Sequence, residues 1–158
     1  MWIGKPLEAI RVHKSCLEDR GGFFTPALRA AWKEGQENKT PLPQGEIDIV
    51  ATYVEWLYSG KIFTVHSDPS HKSVEYATQE EYWFIASLYL FAEKYLDDGF
   101  ANAVIDTFAE ALDLPNPDDG FYYAPSGLVI AAVYDRTMPG SPLRRLMAKT
   151  YFDANKNE

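Results

Sequence analysis

Thr78-Gln79-Glu80-Glu81-Tyr82-Trp83-Phe84-Ile85-Ala86-Ser87-Leu88-Tyr89-Leu90-Phe91-Ala92-Glu93-Lys94-Tyr95-Leu96 holds neither glycine nor proline and reads as one helix. Thr78 with Glu81 makes a capping box at its start. Glu80, Ser87 and Lys94, seven residues apart in turn, line a narrow polar strip, and nearly every other direction is apolar. A surface helix carries one apolar stripe, whereas a helix that is apolar almost all round has neighbours on several sides. The segment is therefore the expected centre of the fold, with Leu88 and Phe91 inside.

Working outward, Asp97 and Asp98 cap a second helix in which Ala101, Val104, Ile105, Phe108 and Leu112 face inward and Asn102, Asp106 and Glu110 face out. The short connection makes the two helices antiparallel neighbours. Upstream, Ile47, Val50, Val54 and Leu57 repeat at helical spacing, with Asp48, Thr52, Glu55 and Ser59 on the wet side, until Gly60 stops the helix. Lys61 to Val65 reads as a strand, and His66 to Ala77, polar and without periodicity, as a loop. Nearer the N-terminus, Trp2-Ile3 and Ile10 to Val12 suggest a hairpin with a very short first arm. A brief helix is expected over Lys14 to Asp19 and another over Phe23 to Trp32, with Pro26 in its first turn. Thr40 to Pro43 reads as an edge strand, because two prolines cannot donate to a central ladder. After Leu112, Pro115 to Gly120 is a dense turn signal. Ser126 then opens a small-residue helix through Leu128, Val129, Ala132 and Val133. Ser141-Pro142 opens a last one carrying Leu143, Leu146, Met147 and Tyr151.

These elements make an α+β fold: a mainly helical cluster, a small sheet at one edge from the strands near Ile10, Leu42 and Ile62, and a helical C-terminal extension. With 158 residues, 46% of them hydrophobic, the chain has material for one core. Fifteen basic against twenty-three acidic residues give a formal charge of -8, which repels phosphate backbones and anionic lipid, so neither nucleic acid nor membrane is an expected partner. No apolar run is long enough to span a bilayer, and the start lacks the pattern of a signal peptide. The lone Cys16 suits a reducing interior, cytoplasmic or nuclear.

Chemistry-bearing groups are few. Cys16 lies near His13 and Lys14, which could activate a thiolate, but no third, orienting residue is identifiable. A buried small hydrophobe is the competing reading of Cys16. His66, Asp68 and His71 are metal-ligand types, yet they sit in one loop with no scaffold to fix them. The acidic pairs Asp97-Asp98 and Asp118-Asp119 lack a calcium-loop spacing and read as a helix cap and a turn. No cofactor motif appears. Arg144, Arg145 and Lys149 gather on one side of the last helix, either as a solvated face or as a dock for an acidic protein.

Several strings resemble the BTB/POZ domain, most of all the variety found in filamentous fungi. Ile10-Arg11-Val12-His13-Lys14-Ser15 with Leu17 resembles the family's strand that ends in a His-Lys step and enters the first helix, and Phe23-Phe24 its paired aromatic position. Leu42-Pro43 is similar to the short strand before the third helix. Tyr53-Val54-Glu55-Trp56-Leu57-Tyr58-Ser59-Gly60-Lys61-Ile62 resembles the helix that closes on a Tyr-x-Gly-x-aliphatic step, and Leu88 to Tyr95 a later core helix. The resemblance covers roughly Ile3 to Leu112, so residues 1–112 are identified as BTB/POZ-like and 113–158 as a helical extension packed on the same domain.

What the resemblance implies is a non-enzymatic protein-interaction module: a scaffold or adaptor, in some relatives a substrate adaptor of a cullin-type ubiquitin ligase. It implies a homodimer interface around Phe23, Leu28 and Trp32, for which the inside of a monomer is the alternative. It also implies a partner surface at Asp48, Thr52, Glu55 and Ser59. In this light His13 is a packing or capping residue between strand and helix. The alternative function, from a different class, is a cysteine-dependent hydrolase or redox protein using Cys16 with His13. Two departures stand out: the first strand is almost absent, and the loop from His66 to Ala77 occupies the place of a hydrophobic-x-Glu docking motif, for which Val74-Glu75 is no convincing substitute.

Overall fold

The structure, a computed structural model, describes residues 2–3, 10–18, 22–27, 39–40, 47–64 and 73–154. In chain order they form β1 (Trp2–Ile3), β2 (Ile10–Arg11), α1 (Ser15–Glu18), α2 (Phe24–Ala27), β3 (Lys39–Thr40), α3 (Ile47–Ser59), α4 (Val74–Tyr95), α5 (Asp98–Asp113), α6 (Gly127–Arg136) and α7 (Pro142–Ala154). The described chain is mainly helical. It divides into two compact units, one of Met1–Phe63 with Phe91–Ala101 and one of Thr64–Leu90 with Asn102–Glu158.

In the first unit β1 pairs antiparallel with β2, Trp2 opposite Arg11 and Ile3 opposite Ile10, and parallel with β3, Trp2 opposite Lys39 and Ile3 opposite Thr40. The expected hairpin is present, and its very short first arm lies in the middle of the strand order. The third expected strand is corrected. Of the expected strand Lys61 to Val65, residues 61–64 form no strand, and the Ser59 hydroxyl takes the Lys61 N–H at 3.0 Å, which removes that donor from any ladder; Val65 lies outside the described residues. Leu42 lies outside the described residues, as do Leu28 and Trp32.

α3 ends as expected: the Gly60 N–H reaches the Trp56 carbonyl at 2.8 Å and Gly60 adopts φ +69°, where a side chain would be strained. Its covered arc is wider than the sequence pattern suggests, taking in Ile49, Val50, Thr52, Tyr53, Val54 and Trp56. That arc packs in an aromatic cluster. Phe24 stacks on Tyr53 (5.5 Å) and Tyr95 (5.7 Å), and Tyr53 meets Phe91 (5.3 Å) and the edge of Phe100 (4.9 Å). Ring pairs at these distances favour offset or edge-on contact beyond plain burial.

The end of α4 is built into this cluster. Asp97 N–H bonds the Ala92 carbonyl (3.0 Å) and Leu96 N–H the Glu93 carbonyl (3.2 Å), a Schellman ending with Leu96 at φ +55° in the position usually held by glycine. Gly22 lies directly against it: a Cβ there would stand 2.2 Å from the Leu96 carbonyl oxygen. The Phe23 N–H then closes on the otherwise orphaned Tyr95 carbonyl at 3.1 Å.

In the second unit α4 begins four residues before the expected Thr78. Ser73 supplies the cap: its hydroxyl accepts from Tyr76 N–H (3.3 Å) and its carbonyl from Ala77 N–H (3.1 Å). Thr78 instead donates back to the Val74 carbonyl (3.0 Å) and accepts from the Asn116 amide (2.8 Å). Tyr82, Ile85, Ala86, Leu88 and Tyr89 are buried here, as Phe91 and Ala92 are in the first unit, and as the all-round apolar reading requires, while Trp83 joins the polar strip at 43 % exposed. Tyr82 stacks nearly parallel on Phe108 of α5 at 5.4 Å. The Gln79 amide donates to the Ala124 carbonyl (2.8 Å) and accepts from Ser126 N–H (2.7 Å), fixing the entry to α6. Ser141, before Pro142, meets the Tyr89 hydroxyl at 3.0 Å.

Candidate functional site

α3 positions the expected partner surface. Asp48, Glu55 and Ser59 are exposed, as their spacing predicts. Thr52 is not: at 9 % exposed it sits on the rim of the covered arc with Ile49 and Trp56, so it is removed from the set. The outer face is completed by Ala51 and by Tyr58, 53 % exposed, which the sequence reading did not select. The signal for Tyr58 is its place three residues after Glu55 on the same side of the helix.

Tyr58 also holds the strand-to-helix step. Its hydroxyl oxygen accepts from the His13 backbone N–H at 2.9 Å and lies 2.8 Å from His13 Nδ1. The oxygen already accepts from the amide, so its own proton is available to Nδ1 when the ring carries its proton on Nε2. The two rings meet edge to face at 5.8 Å. The His13 carbonyl accepts from Cys16 N–H (3.1 Å), so His13 shapes the first turn of α1, and Cys16 is half-buried there. The same histidine thus ties β2, α1 and α3 together.

Asp97 carries a task that sequence alone missed. One carboxylate oxygen caps α5 by accepting from Phe100 N–H (2.9 Å), as expected, and the other accepts from the Tyr53 hydroxyl (2.8 Å), with Asp97 only 2 % exposed. Forty-four residues separate the pair, and no local pattern announces it.

The basic group on α7 is broken up. Arg144 turns to the C-terminus of α6: its Nε donates to Thr137 Oγ1 (2.8 Å), its Nη2 donates to the Tyr134 and Thr137 carbonyls, and its guanidinium covers the Tyr134 ring at 5.0 Å. Arg145 and Lys149 remain outward. Phe23 of the expected dimer surface is 37 % exposed and packs edge-on against Phe24 and Tyr95.

Burial, and then the Glu81 carboxylate, push the Tyr82 phenol up to about 12. Burial also raises Tyr95. The hydrogen bond to Asp119 raises Tyr123. The three phenols are neutral at physiological pH; the Tyr82 hydroxyl donates to the Tyr123 carbonyl at 2.7 Å and the Tyr123 hydroxyl to Asp119 at 2.6 Å. Among the described residues no three His, Cys, Asp or Glu side chains gather as a metal site, and His66, Asp68 and His71 lie outside them. No helix among the described residues is long and apolar enough to cross a membrane. No family model, curated protein or solved structure matches the chain.

Proposed function

We propose that the chain is a non-enzymatic protein-interaction module of the BTB/POZ type, an adaptor or scaffold that presents the outer face of α3 to a protein partner. What supports this reading is convergence. The strings that resemble the family lie far apart in sequence, yet His13 meets Tyr58, and Phe24 stacks on both Tyr53 and Tyr95, within one compact unit. The partner face consists of Asp48, Glu55 and Ser59 with Tyr58 beside them. Two carboxylates and a half-exposed aromatic suit specificity and association rate, with the ring as the anchor. A two-fold homodimer through Phe23 belongs to the same proposal.

The hydrolase reading has less to stand on, since the His13 ring is engaged by Tyr58 and its backbone by α1, which gives the histidine a structural task. The ligase-adaptor form is tested by titrating the protein with the purified N-terminal region of a cullin. Saturable binding that Asp48→Lys/Glu55→Lys abolishes supports that form. Absence of binding removes it. For the thiol, iodoacetamide labelling against pH with a midpoint well below about 8.5 would return the enzyme reading to first place.

A further inference from the structure

The second unit exposes two surfaces of opposite character. From Thr137 to Phe152 the chain has Arg144, Arg145 and Lys149 and no acidic residue, in a protein of net charge -8. Leu143 and Met147 of α7 are buried and Arg144 is engaged with α6, which leaves Arg145, Lys149 and Phe152 facing outward, Phe152 at 61 % exposed. Their spacing of four and three residues puts them in one stripe, with the small, exposed Ala148 alongside. The other surface is the turn after α5. There Asp118 and Asp119 are exposed, and Phe121 and Tyr122 are each 67 % exposed.

That turn has a fixed shape. Asn116 N–H bonds the Phe121 carbonyl (2.8 Å), Gly120 N–H the Asn116 carbonyl (2.8 Å), and Asp118 N–H the Asn116 side-chain oxygen (2.9 Å). The Asp119 carboxylate takes the Phe121 N–H (2.9 Å) and the Tyr123 hydroxyl (2.6 Å). Two aromatic rings held outward on a braced turn lose little freedom when they are covered, and exposed apolar surface of this kind marks a contact site.

We infer that the α7 stripe binds the Asp118–Tyr122 turn of a second copy of this chain, head to tail. A two-fold contact of either surface with itself would oppose like charges, whereas the heterologous contact sets Arg145 and Lys149 against Asp118 and Asp119, and ring against ring. Exposed ion pairs make it weak and salt-sensitive, so it falls about tenfold between roughly 0.05 and roughly 0.5 M salt. The contact uses neither the α3 face nor Phe23, so it stands apart from the adaptor reading.

Sedimentation velocity on the full chain tests it with Arg145→Glu/Lys149→Glu, Asp118→Lys/Phe121→Ser, and their equimolar mixture, each shown folded by circular dichroism. The substituted side chains make none of the bonds that brace the turn, since Asp118 takes part through its backbone N–H and Phe121 through its backbone N–H and carbonyl. The wild type should grow with concentration without stopping at a dimer. Each variant alone should lose that growth, and the mixture, holding one intact stripe and one intact turn, should recover association that neither variant shows alone. A wild type that stays one fixed species up to millimolar concentration overturns the inference. So does a mixture that recovers nothing, or variants that associate as the wild type does.

Discussion

Replacing Asp97 by alanine removes two contacts at once. The Phe100 N–H loses its cap, which costs about 1 kcal/mol in comparable helices. The Tyr53 hydroxyl, on a side chain with no measurable exposure, loses its bond to the Asp97 carboxylate, which costs about 1–3 kcal/mol. Together Asp97→Ala should destabilise the fold by about 2–4 kcal/mol, which for a chain of this size lowers the melting temperature on the order of 10 °C. Urea denaturation followed by circular dichroism and tryptophan fluorescence gives the number directly. Asp98→Ala is the control: an exposed carboxylate in the same turn, expected to change stability by less than about 0.5 kcal/mol. Tyr53→Phe, alone and with Asp97→Ala, completes a double-mutant cycle whose coupling should reach about 1 kcal/mol or more. If Asp97→Ala costs no more than Asp98→Ala, or the cycle shows no coupling, the account of Asp97 as the joint between α3 and α5 is wrong.

At Gly22 the backbone has φ +48° and no room for a Cβ, so Gly22→Ala should destabilise by about 1–3 kcal/mol in the same denaturation assay; an unchanged midpoint would show that α2 does not seat on the end of α4 as described. Leu96 is the converse case, a 65 % exposed leucine in the left-handed region, and Leu96→Gly should stabilise by up to about 1 kcal/mol, with any loss of stability counting against the Schellman ending. Tyr82, with an ordinary value of 10.0 and a folded value of about 12, makes stability depend on alkaline pH: between those values the unfolded chain gives up the proton that the fold retains. Stability from this group is therefore complete below about pH 10 and declines toward pH 12, and Tyr82→Phe should flatten that decline in denaturation curves taken at successive pH values.

The parts of the fold legible in the sequence are those carried by local pattern. α4 announced itself by being apolar on nearly every side, and α5 by the Asp97 cap and its period, because propensity, capping and burial there act over a few residues. The start of α4 was misplaced because Ser73 and Thr78 are both cap-forming types, and the first turn between them carries exposed Glu75 and Tyr76 that hide the period. Lys61 to Thr64 had strand composition, yet the Ser59 hydroxyl claims the first N–H, a competition that composition does not show. Of the candidate site, Asp48, Glu55 and Ser59 were legible from helical spacing. Thr52 was not, since its covering depends on the breadth of the packed arc. The Asp97–Tyr53 and His13–Tyr58 pairs each join segments more than forty residues apart, and such pairing is a property of the assembled unit.

Docking through the outer face of α3 is measured by paired affinity capture from extract of the native cells, with the wild-type chain and Asp48→Lys/Glu55→Lys as baits loaded at equal amounts and both shown folded. A protein partner should be retained specifically by the wild type and lost from the charge-reversed bait, with the loss confirmed on the purified pair. A partner recovered equally by both baits, or none recovered by the wild type, would contradict the assignment of the α3 face as a docking surface.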